Sequence, residues 1–337
     1  MRALRLHAAG ELALHDEPSP EVRPGRSQVR VGAVGLCGSD LHWFGEAGIG
    51  DATLDRPLVL GHEFAGTVVG GSLDGRLVAV DPAMPCGVCP TCVAGLRNLC
   101  PDVVFAGHGM QDGGLQEVVS WPSALLHPLP ATLSDEDGAM LEPLGVALHA
   151  MDLGHVRAGA TVAVHGCGPI GLLLVQLLAA TGGRVVAVDP LPHRRSAAGD
   201  LGADVGLSPD EADDPQVLAD ALQGHGADVA FEVAGTDSAV DGALAAARPG
   251  GRVVLVGIPD EDRTSFRASV ARRKGLTMLL SRRMGEVYPR AIRLVERGLV
   301  DVRAVVTHRF DLGDAPGAFA EAAARTGHKV IVRPGGL

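Results

Sequence analysis

Four cysteines lie close together in the stretch CGVCPTCVAGLRNLC, as Cys86, Cys89, Cys92 and Cys100. Gaps of two residues let neighbouring thiolates turn inward on one loop, and a fourth sulfur completes the tetrahedron that zinc prefers. Iron–sulfur ligation uses overlapping cysteine spacings and is the main alternative. Because four thiolates leave no open coordination position, we expect a structural zinc in a lobe at residues 85–101. A zinc ribbon that binds nucleic acid is disfavoured in a chain of formal net charge −11.

A second set of metal-binding residue types is spread over three short stretches of the first 150 residues. These are GLCGSDLHWF at 35–44, LGHEFAG at 60–66 and MLEPLGVALHA at 140–150. Each residue alone has an ordinary structural explanation, such as a small buried thiol for Cys37, a core imidazole for His62 or a helix start for Glu142. Together, one thiolate, one imidazole and one or two carboxylates can hold a zinc ion that keeps a position for substrate or water.

The second half of the chain contains a glycine motif of the dinucleotide-binding type. The turn GCGPIG includes Gly166, Gly168, Pro169, Ile170 and Gly171. An apolar strand at 161–164 precedes it, and an apolar helix follows. The next strand ends in Asp189, 18 residues after Gly171, where a carboxylate binds ribose hydroxyls and repels a 2′-phosphate. We therefore predict NAD rather than NADP as the cofactor; the alternative is a glycine turn in an ordinary β-α-β unit.

The rest of the sequence indicates the fold class and the kind of partner. Apolar segments at 228–235 and 250–259 alternate with helix-like stretches, which predicts an α/β fold with a doubly wound parallel sheet. A chain of 337 residues is long enough for two domains. The excess of acidic over basic residues argues against nucleic-acid and anionic-membrane partners. The N-terminus lacks a signal-peptide core and no apolar run is long enough to span a bilayer, so we expect a soluble cytoplasmic protein.

From end to end the sequence resembles the zinc-dependent medium-chain alcohol dehydrogenases, and among them the polyol dehydrogenases of sorbitol, xylitol and L-idonate type. The resemblance is carried by GLCGSDLHWF, RPLVLGHEFAGTV, the four-cysteine lobe, EPLGVALHA, GCGPIGLLL and VTHRFDL. It implies a mainly β GroES-like catalytic domain at 1–144, a Rossmann NAD-binding domain at 145–280 and a return to the catalytic domain at 281–337. It also implies an active site in the cleft between the domains, two zinc ions per chain, and a homodimer or homotetramer.

The same resemblance assigns the catalytic zinc site. Cys37 and His62 match two ligands of that zinc. The third ligand stays open between Glu63, which follows the histidine, and Glu142, which can act through water. Asp40 matches a residue that orients the zinc-bound histidine, a role that fixes the tautomer of the ring and raises its basicity.

The resemblance also assigns residues around the cofactor and around the alcohol substrate. Ser39 and His42 match the hydroxyl and the imidazole of a proton relay. Arg194 matches an arginine that packs by the adenosine of the cofactor. The residues expected at the substrate are Trp43, Phe105 and Arg283, the last with a solvated surface arginine as its alternative explanation.

The resemblance implies an enzyme that transfers hydride between NAD and a secondary alcohol, most simply a polyol or a sugar-derived alcohol. Trp43 stands where sorbitol enzymes tend to have a tyrosine, and FAGHGMQDGGLQE resembles 2,3-butanediol and threonine dehydrogenases. A vicinal diol or a 3-hydroxy amino acid is therefore an alternative substrate. A zinc-stabilised NAD-binding protein without turnover, such as a redox sensor, is the alternative from another class.

Overall fold

The computed structural model describes residues 1–336, which form two compact units. The first unit contains Met1–Glu142, Tyr288–Glu296 and the residues from Val302 onward, and the second contains Pro143–Val287 and Arg297–Asp301. The chain therefore passes between the units after Glu142, Val287, Glu296 and Asp301, whereas we predicted two domain boundaries, at 144 and 280. No helix in this part of the chain is long and apolar enough to cross a membrane.

In the sequence, the strands of the first unit come partly before and partly after those of the second unit. The first twelve are β1 (Arg2–Ala8), β2 (Glu11–Asp16), β3 (Arg26–Gly35), β4 (Gly48–Ile49), β5 (Ala52–Thr53), β6 (Leu58–Val59), β7 (Glu63–Val69), β8 (Leu77–Val80), β9 (Ala83–Met84), β10 (Val104–Phe105), β11 (Val118–Pro122) and β12 (Leu126–Pro128). The strands of the second unit are β13 (Thr161–His165), β14 (Arg184–Val188), β15 (Val205–Leu207), β16 (Ala227–Glu232), β17 (Ala247–Leu255) and β18 (Thr277–Leu280). The first unit is then completed by β19 (Val306–Asp311) and β20 (Lys329–Arg333).

The helices range from four residues to 14. They are α1 (Gly38–Glu46), α2 (Pro90–Val93), α3 (Asp135–Ala139), α4 (Leu141–Gly154), α5 (Pro169–Ala179), α6 (Pro192–Asp200), α7 (Pro209–Asp213), α8 (Pro215–Ala221), α9 (Asp237–Ala246), α10 (Ala268–Lys274), α11 (Tyr288–Glu296) and α12 (Ala315–Ala324).

The first unit is mainly β and is built on a seven-stranded sheet. Its strand order is β12-β8-β7-β3-β20-β19, with β11 pairing on β3. Along β3 the buried Val29 and Val31 alternate with the exposed Arg30, as expected of a strand that buries one face. The core of this unit includes the fully buried side chains of Trp121 and Phe319.

The second unit contains a six-stranded parallel sheet in the order β15-β14-β13-β16-β17-β18. Its central strands read as near-continuous apolar runs because helices cover both faces of such a sheet. In β13, for example, every residue after Thr161 is buried. The prediction of a doubly wound parallel sheet is confirmed. The strand order reverses between β13 and β16, and ligands of this kind of fold bind at the carboxyl ends of the strands beside that point.

Candidate metal centre and cofactor site

Two adjacent strands of the first unit carry three candidate metal ligands. β3 and β7 run antiparallel, and Gly35 pairs with Glu63 at one end of the ladder. Cys37 follows β3 directly before α1, and His62 directly precedes β7. The Cys37 sulfur, a His62 ring nitrogen and a Glu63 carboxylate oxygen lie within 4.8 Å of one another. These three donors suit zinc and leave one tetrahedral position for an exchangeable ligand.

Asp40 holds the ligand-bearing segments together. Its carboxylate oxygens accept hydrogen bonds from the Cys37 amide at 2.9 Å and from the Gly61 amide at 3.1 Å. One of these oxygens lies 3.5 Å from Nδ1 of His62, which leaves Nε2 as the ring nitrogen for a metal. Burial alone would raise the pKa of Asp40, but His62 and the Cys37 amide outweigh it and lower that pKa. Asp40 therefore has the position of a carboxylate that orients a metal-bound imidazole.

The surroundings of His62 favour a positive charge. Burial lowers the pKa of this imidazole, but Asp40 and Cys37 outweigh burial and raise the pKa well above its ordinary value. Anionic groups that would hold a proton on the ring would equally hold a metal cation beside it. The donor set and its charge therefore fit a zinc ion.

Glu63 takes part in a buried ion pair. Lys329 Nζ lies 2.8 and 2.5 Å from the two carboxylate oxygens of Glu63 and donates to the Leu36 carbonyl at 3.0 Å. Burial alone would lower the pKa of Lys329, but Glu63 outweighs it and raises that pKa, so the lysine is charged. Gly35 leaves space for the carboxylate, since a β-carbon there would overlap Oε2 of Glu63.

Glu142 lies outside this group of three. It is the second residue of α4 and is only 4% exposed. Burial raises the pKa of Glu142 to about 7; Glu63 adds to this rise, and His62 opposes it. A carboxyl group with a pKa near neutrality is suited to accept and release a proton.

The first turns of α1 carry three of the other predicted residues. Ser39 is buried beside the ligand Cys37 at the start of the helix. The Nδ1 atom of His42 lies 3.3 Å from a carboxylate oxygen of Glu46, one helical turn further on. Trp43 is fully buried and donates a hydrogen bond from its indole nitrogen to Nδ1 of His108 at 3.1 Å.

The predicted substrate residues Phe105 and Arg283 belong to different units. Phe105 is buried in the first unit, where its ring centroid lies 5.3 Å from that of His62. The structure therefore brings Phe105 to the candidate metal centre. Arg283 lies in the second unit, between β18 and α11, with a φ angle of 54°.

The four-cysteine lobe forms a separate site. The sulfurs of Cys86, Cys89, Cys92 and Cys100 all lie within 4.8 Å of one another. Backbone amides point at these sulfurs; for example, the Cys86 amide lies 3.3 Å from the Cys100 sulfur. A hydrogen bond with the Thr91 hydroxyl, together with the Cys92 amide, lowers the pKa of Cys89 to about 6. Four sulfur donors with such support fit a closed tetrahedral zinc site.

The glycine turn of the second unit begins at the carboxyl end of β13. Gly166 has a φ angle of 104°, which favours glycine, and its amide donates to the Val188 carbonyl at 2.8 Å. α5 begins at Pro169 with Gly168 as its N-cap, so the helix starts within the turn. Its first amides have no partner within the helix and suit a phosphate group. A β-carbon placed on Gly168 would lie 3.8 Å from Nη1 of Arg194, so this guanidinium group lies at the glycine turn.

Asp189 ties the end of the second strand to the glycine turn. Its carboxylate oxygens accept hydrogen bonds from the Cys167 amide at 2.8 Å and from the Leu191 amide at 2.9 Å, and the side chain is 3% exposed. Each carboxylate oxygen has a second lone pair for a ribose hydroxyl. The residues of the turn, Asp189 and Arg194 therefore fit a nicotinamide dinucleotide.

Sequence reasoning missed two residues at the candidate metal centre. Lys329 is one of only two lysines in the chain and begins the apolar run KVIV, where a buried charge signals a buried partner. His108 lies within the stretch FAGHGMQDGG, in which sequence reasoning named only Phe105 as a site residue. Neither contact could be found from local spacing, since both partners lie far away in the sequence.

Comparison with known proteins identifies the family. The family described as Alcohol dehydrogenase GroES-like domain matches residues 23–131, and the family described as Zinc-binding dehydrogenase matches residues 169–297. The chain belongs to the zinc-binding dehydrogenases. This confirms the predicted family, its α/β fold with a GroES-like domain, and the prediction that the chain is an enzyme, a zinc-containing alcohol dehydrogenase.

Individual zinc-binding dehydrogenases resemble the chain over nearly its whole length. Sorbitol dehydrogenase of Bacillus subtilis is 33% identical over 96% of this chain and 93% of its own. The structure of L-idonate 5-dehydrogenase from Escherichia coli has a TM-score of 0.90 and 27% identity, covering 98% of this chain and 97% of its own. The structure of 2R,3R-butanediol dehydrogenase from Bacillus subtilis has a TM-score of 0.88 and 31% identity, covering 99% of both chains.

Proposed function

We propose that this dehydrogenase transfers hydride between NAD and a secondary alcohol of a polyol or a sugar-derived alcohol. The observation that carries the proposal is the grouping of Cys37, His62 and Glu63, whose ligand atoms lie within 4.8 Å of one another. Three protein donors are the number found in catalytic zinc sites, which keep one position open. The similarity to sorbitol and L-idonate dehydrogenases supports a polyol as the substrate.

The residues at the candidate metal centre would have separate roles. Cys37, His62 and Glu63 would hold zinc, with Asp40 fixing the orientation of the histidine. When bound, zinc polarises a hydroxyl group and lowers its pKa, and the nicotinamide accepts hydride. The high pKa of Glu142, about 7, makes its carboxyl group the buried acceptor for the hydroxyl proton.

A second route for that proton would use α1. The buried Ser39 hydroxyl lies one residue after the start of this helix, and His42 follows three residues later. His42 is partly exposed at the side chain, 18%, so it can exchange a proton with water. We propose that Ser39 passes the proton to His42 when Glu142 is already protonated.

The preference for NAD is proposed from Asp189. Its buried carboxylate, held by two backbone amides, lies at the end of β14, where the adenosine ribose binds in dinucleotide folds. A fixed negative charge there opposes a 2′-phosphate.

We propose further that each chain carries two zinc ions, the second held by Cys86, Cys89, Cys92 and Cys100. The predicted homodimer or homotetramer is a proposal that a solution mass measurement tests.

A substrate panel read by NADH absorbance tests the proposed function. The panel contains sorbitol, xylitol, L-idonate, 2,3-butanediol and threonine, each with NAD and with NADP. We expect the highest kcat/KM for a polyol with NAD. Turnover of threonine alone, or turnover with NADP alone, would overturn the assignment.

A vicinal diol is the second candidate substrate. It is favoured by the similarity to 2R,3R-butanediol dehydrogenase and by Trp43, which has no phenolic hydroxyl and already donates its indole N–H to His108. A kcat/KM for 2,3-butanediol above that for every polyol would establish it. A redox sensor without turnover would instead bind NADH and convert no alcohol in the panel.

A further inference from the structure

A pocket of the second unit lies at the edge of the parallel sheet where the strands begin. Its volume is about 400 Å³, which is within the range of small-molecule sites. Its walls come from the loop after α4, from the start of β16 and from the first half of β17. The glycine turn follows the other end of β13, a strand of five residues, and is therefore roughly 15 Å away. The pocket is thus separate from the cofactor site.

The pocket is basic although the chain as a whole is acidic. Arg157, Arg248 and Arg252 line it, together with one carboxylate, Asp228, whereas the formal net charge of the chain is −11. Asp228 is already occupied, since it accepts hydrogen bonds from the Thr161 amide at 3.0 Å and from Nε of Arg248 at 2.7 Å. One of the three arginine charges is therefore compensated and two are not.

The two uncompensated arginines are Arg157 and Arg252. Within residues 1–336, neither guanidinium group takes part in a hydrogen bond or an ion pair. Arg252 pairs in register with Val229 of the neighbouring parallel strand, so the two side chains lie on the same face of the sheet. A β-carbon on Gly154 would lie 3.0 Å from Cγ1 of Val229, so the end of α4 covers this face. Arg252 is therefore half-buried on the side of the sheet next to the loop that carries Arg157.

Arg248 is held in place at the rim of the same pocket. Besides its contact with Asp228, its Nη1 atom donates to the Pro249 carbonyl at 3.1 Å. The same atom would lie 3.9 Å from a β-carbon on Gly250, which also lines the pocket. Its Nη2 atom makes no hydrogen bond to any described residue and remains a donor. The protein thus fixes this guanidinium group and leaves part of it for a ligand.

We propose that this pocket binds a phosphate-bearing small molecule, with Arg157 and Arg252 as its charged partners and Arg248 as a fixed donor. The planar guanidinium fork matches the oxygen atoms of a phosphate group, and arginine is the residue most used for this purpose. The inference goes beyond the proposed function, because it needs neither an alcohol nor the metal centre. A simpler explanation exists for Arg157 alone, since a cation near the carboxyl end of α4 offsets the dipole of that helix.

Titration calorimetry with inorganic phosphate tests the proposal. The protein is zinc-loaded and saturated with NADH, so that the glycine turn is occupied and cannot bind the probe. We expect the Kd for phosphate to rise by about 10-fold or more in Arg157→Ala and in Arg252→Ala, since each change removes a charge-assisted hydrogen bond. Arg252→Lys should recover part of the loss because it restores the charge without the fork. Arg273→Ala is the matched control, an exposed arginine on α10 of the same unit, and should bind phosphate as the unmodified protein does.

Two results of the titration would overturn the proposal. One is the absence of phosphate binding to the unmodified protein. The other is a Kd in Arg157→Ala and Arg252→Ala equal to that of Arg273→Ala, which would mean that phosphate binds elsewhere, for example at a zinc ion.

Thermal unfolding separates binding from a purely structural role of Arg157. The melting temperatures of the unmodified protein and of Arg157→Ala are compared in sodium chloride and in sodium phosphate of equal ionic strength. Phosphate strengthens burial in both proteins, so the informative quantity is the difference between them. We expect the phosphate-dependent rise to be larger in the unmodified protein. A variant that melts lower by the same amount in both salts would show that Arg157 only stabilises the end of α4, and would overturn its role in binding.

Discussion

Lys329 Nζ lies within 2.8 Å of both carboxylate oxygens of Glu63, and both side chains are buried at the candidate metal centre. A lysine at the start of β20 thus compensates the charge of a carboxylate at the start of β7. A buried carboxylate without such a partner would be costly. Each carboxylate oxygen can accept more than one interaction, so the ion pair leaves Glu63 able to bind a metal.

Replacing Lys329 should lower the free energy of unfolding more in metal-free protein than in zinc-loaded protein. In Lys329→Met the buried Glu63 loses its partner, and we expect a destabilisation of about 3–5 kcal/mol in chelator-treated protein. Bound zinc would partly replace the lost positive charge, so the cost should be smaller in zinc-loaded protein. Urea unfolding of both proteins, with and without chelator, measures the two differences.

The double variant Lys329→Met with Glu63→Gln is the control for this prediction. It removes both charges and should recover much of the lost stability of the metal-free protein. An equal cost of Lys329→Met in the presence and absence of zinc would show that Glu63 does not face the metal.

The four-cysteine lobe should lose its metal when one sulfur is removed. We expect Cys89→Ser to contain about one zinc ion fewer per chain and to melt at a lower temperature, because structural zinc contributes folding free energy directly. Elemental analysis and thermal unfolding measure both effects. Cys167→Ala is the matched control, since Cys167 is buried outside both ligand groups and its replacement should leave the zinc content unchanged.

The charge of Asp189 should set the choice of cofactor. Asp189→Asn keeps an oxygen acceptor for the glycine turn but removes the charge that opposes a 2′-phosphate. We expect the ratio of kcat/KM for NADP to that for NAD to rise by about 10-fold or more, the effect of roughly 1.4 kcal/mol. Asp204→Asn, at a carboxylate that accepts from the Val185 amide in the same unit, should leave the ratio unchanged. An unchanged ratio in Asp189→Asn would remove the basis for the NAD preference.

His165 should make stability depend on pH. It ends β13, is 3% exposed, and its Nε2 atom has no hydrogen bond within residues 1–336. Burial lowers its pKa to about 4 from an ordinary value of 6.5. Between these values the unfolded chain binds the proton and the folded chain does not, so stability present above pH 6.5 is lost as the pH falls toward 4. The loss from this one group is about 3 kcal/mol.

Urea midpoints at several pH values test this prediction. His165→Leu should show a shallower fall of stability with acid than the unmodified protein, because the other titrating groups are common to both. Parallel pH profiles for the two proteins would mean that the imidazole is protonated in the folded state.

The cofactor half of the protein could be predicted in detail because its signals are local. The glycine turn, the apolar run before it and Asp189 lie within one β-α-β unit, and the predicted strand at 161–164 is β13, Thr161–His165. Hydrophobic runs of this kind reflect burial on both faces of a sheet, which does not depend on distant residues.

The metal centre could be predicted only in part, because its contacts are long-range. Residue types named Cys37 and His62, but they could not rank Glu63 against Glu142, because either carboxylate can serve as a zinc ligand. The pairing of Gly35 with Glu63 across two strands brings Glu63 into the ligand group, and no spacing rule contains that register. Lys329 was missed for the same reason, as it lies 266 residues from Glu63.

Zinc content and hydride transfer measured on the same preparations of the unmodified protein and of Cys37→Ser test the central claim most directly. We predict two zinc ions per chain before the change and one after it, with polyol-dependent NADH formation abolished and NADH binding retained. Two zinc ions and undiminished NADH formation in Cys37→Ser would contradict a catalytic metal centre at Cys37, His62 and Glu63.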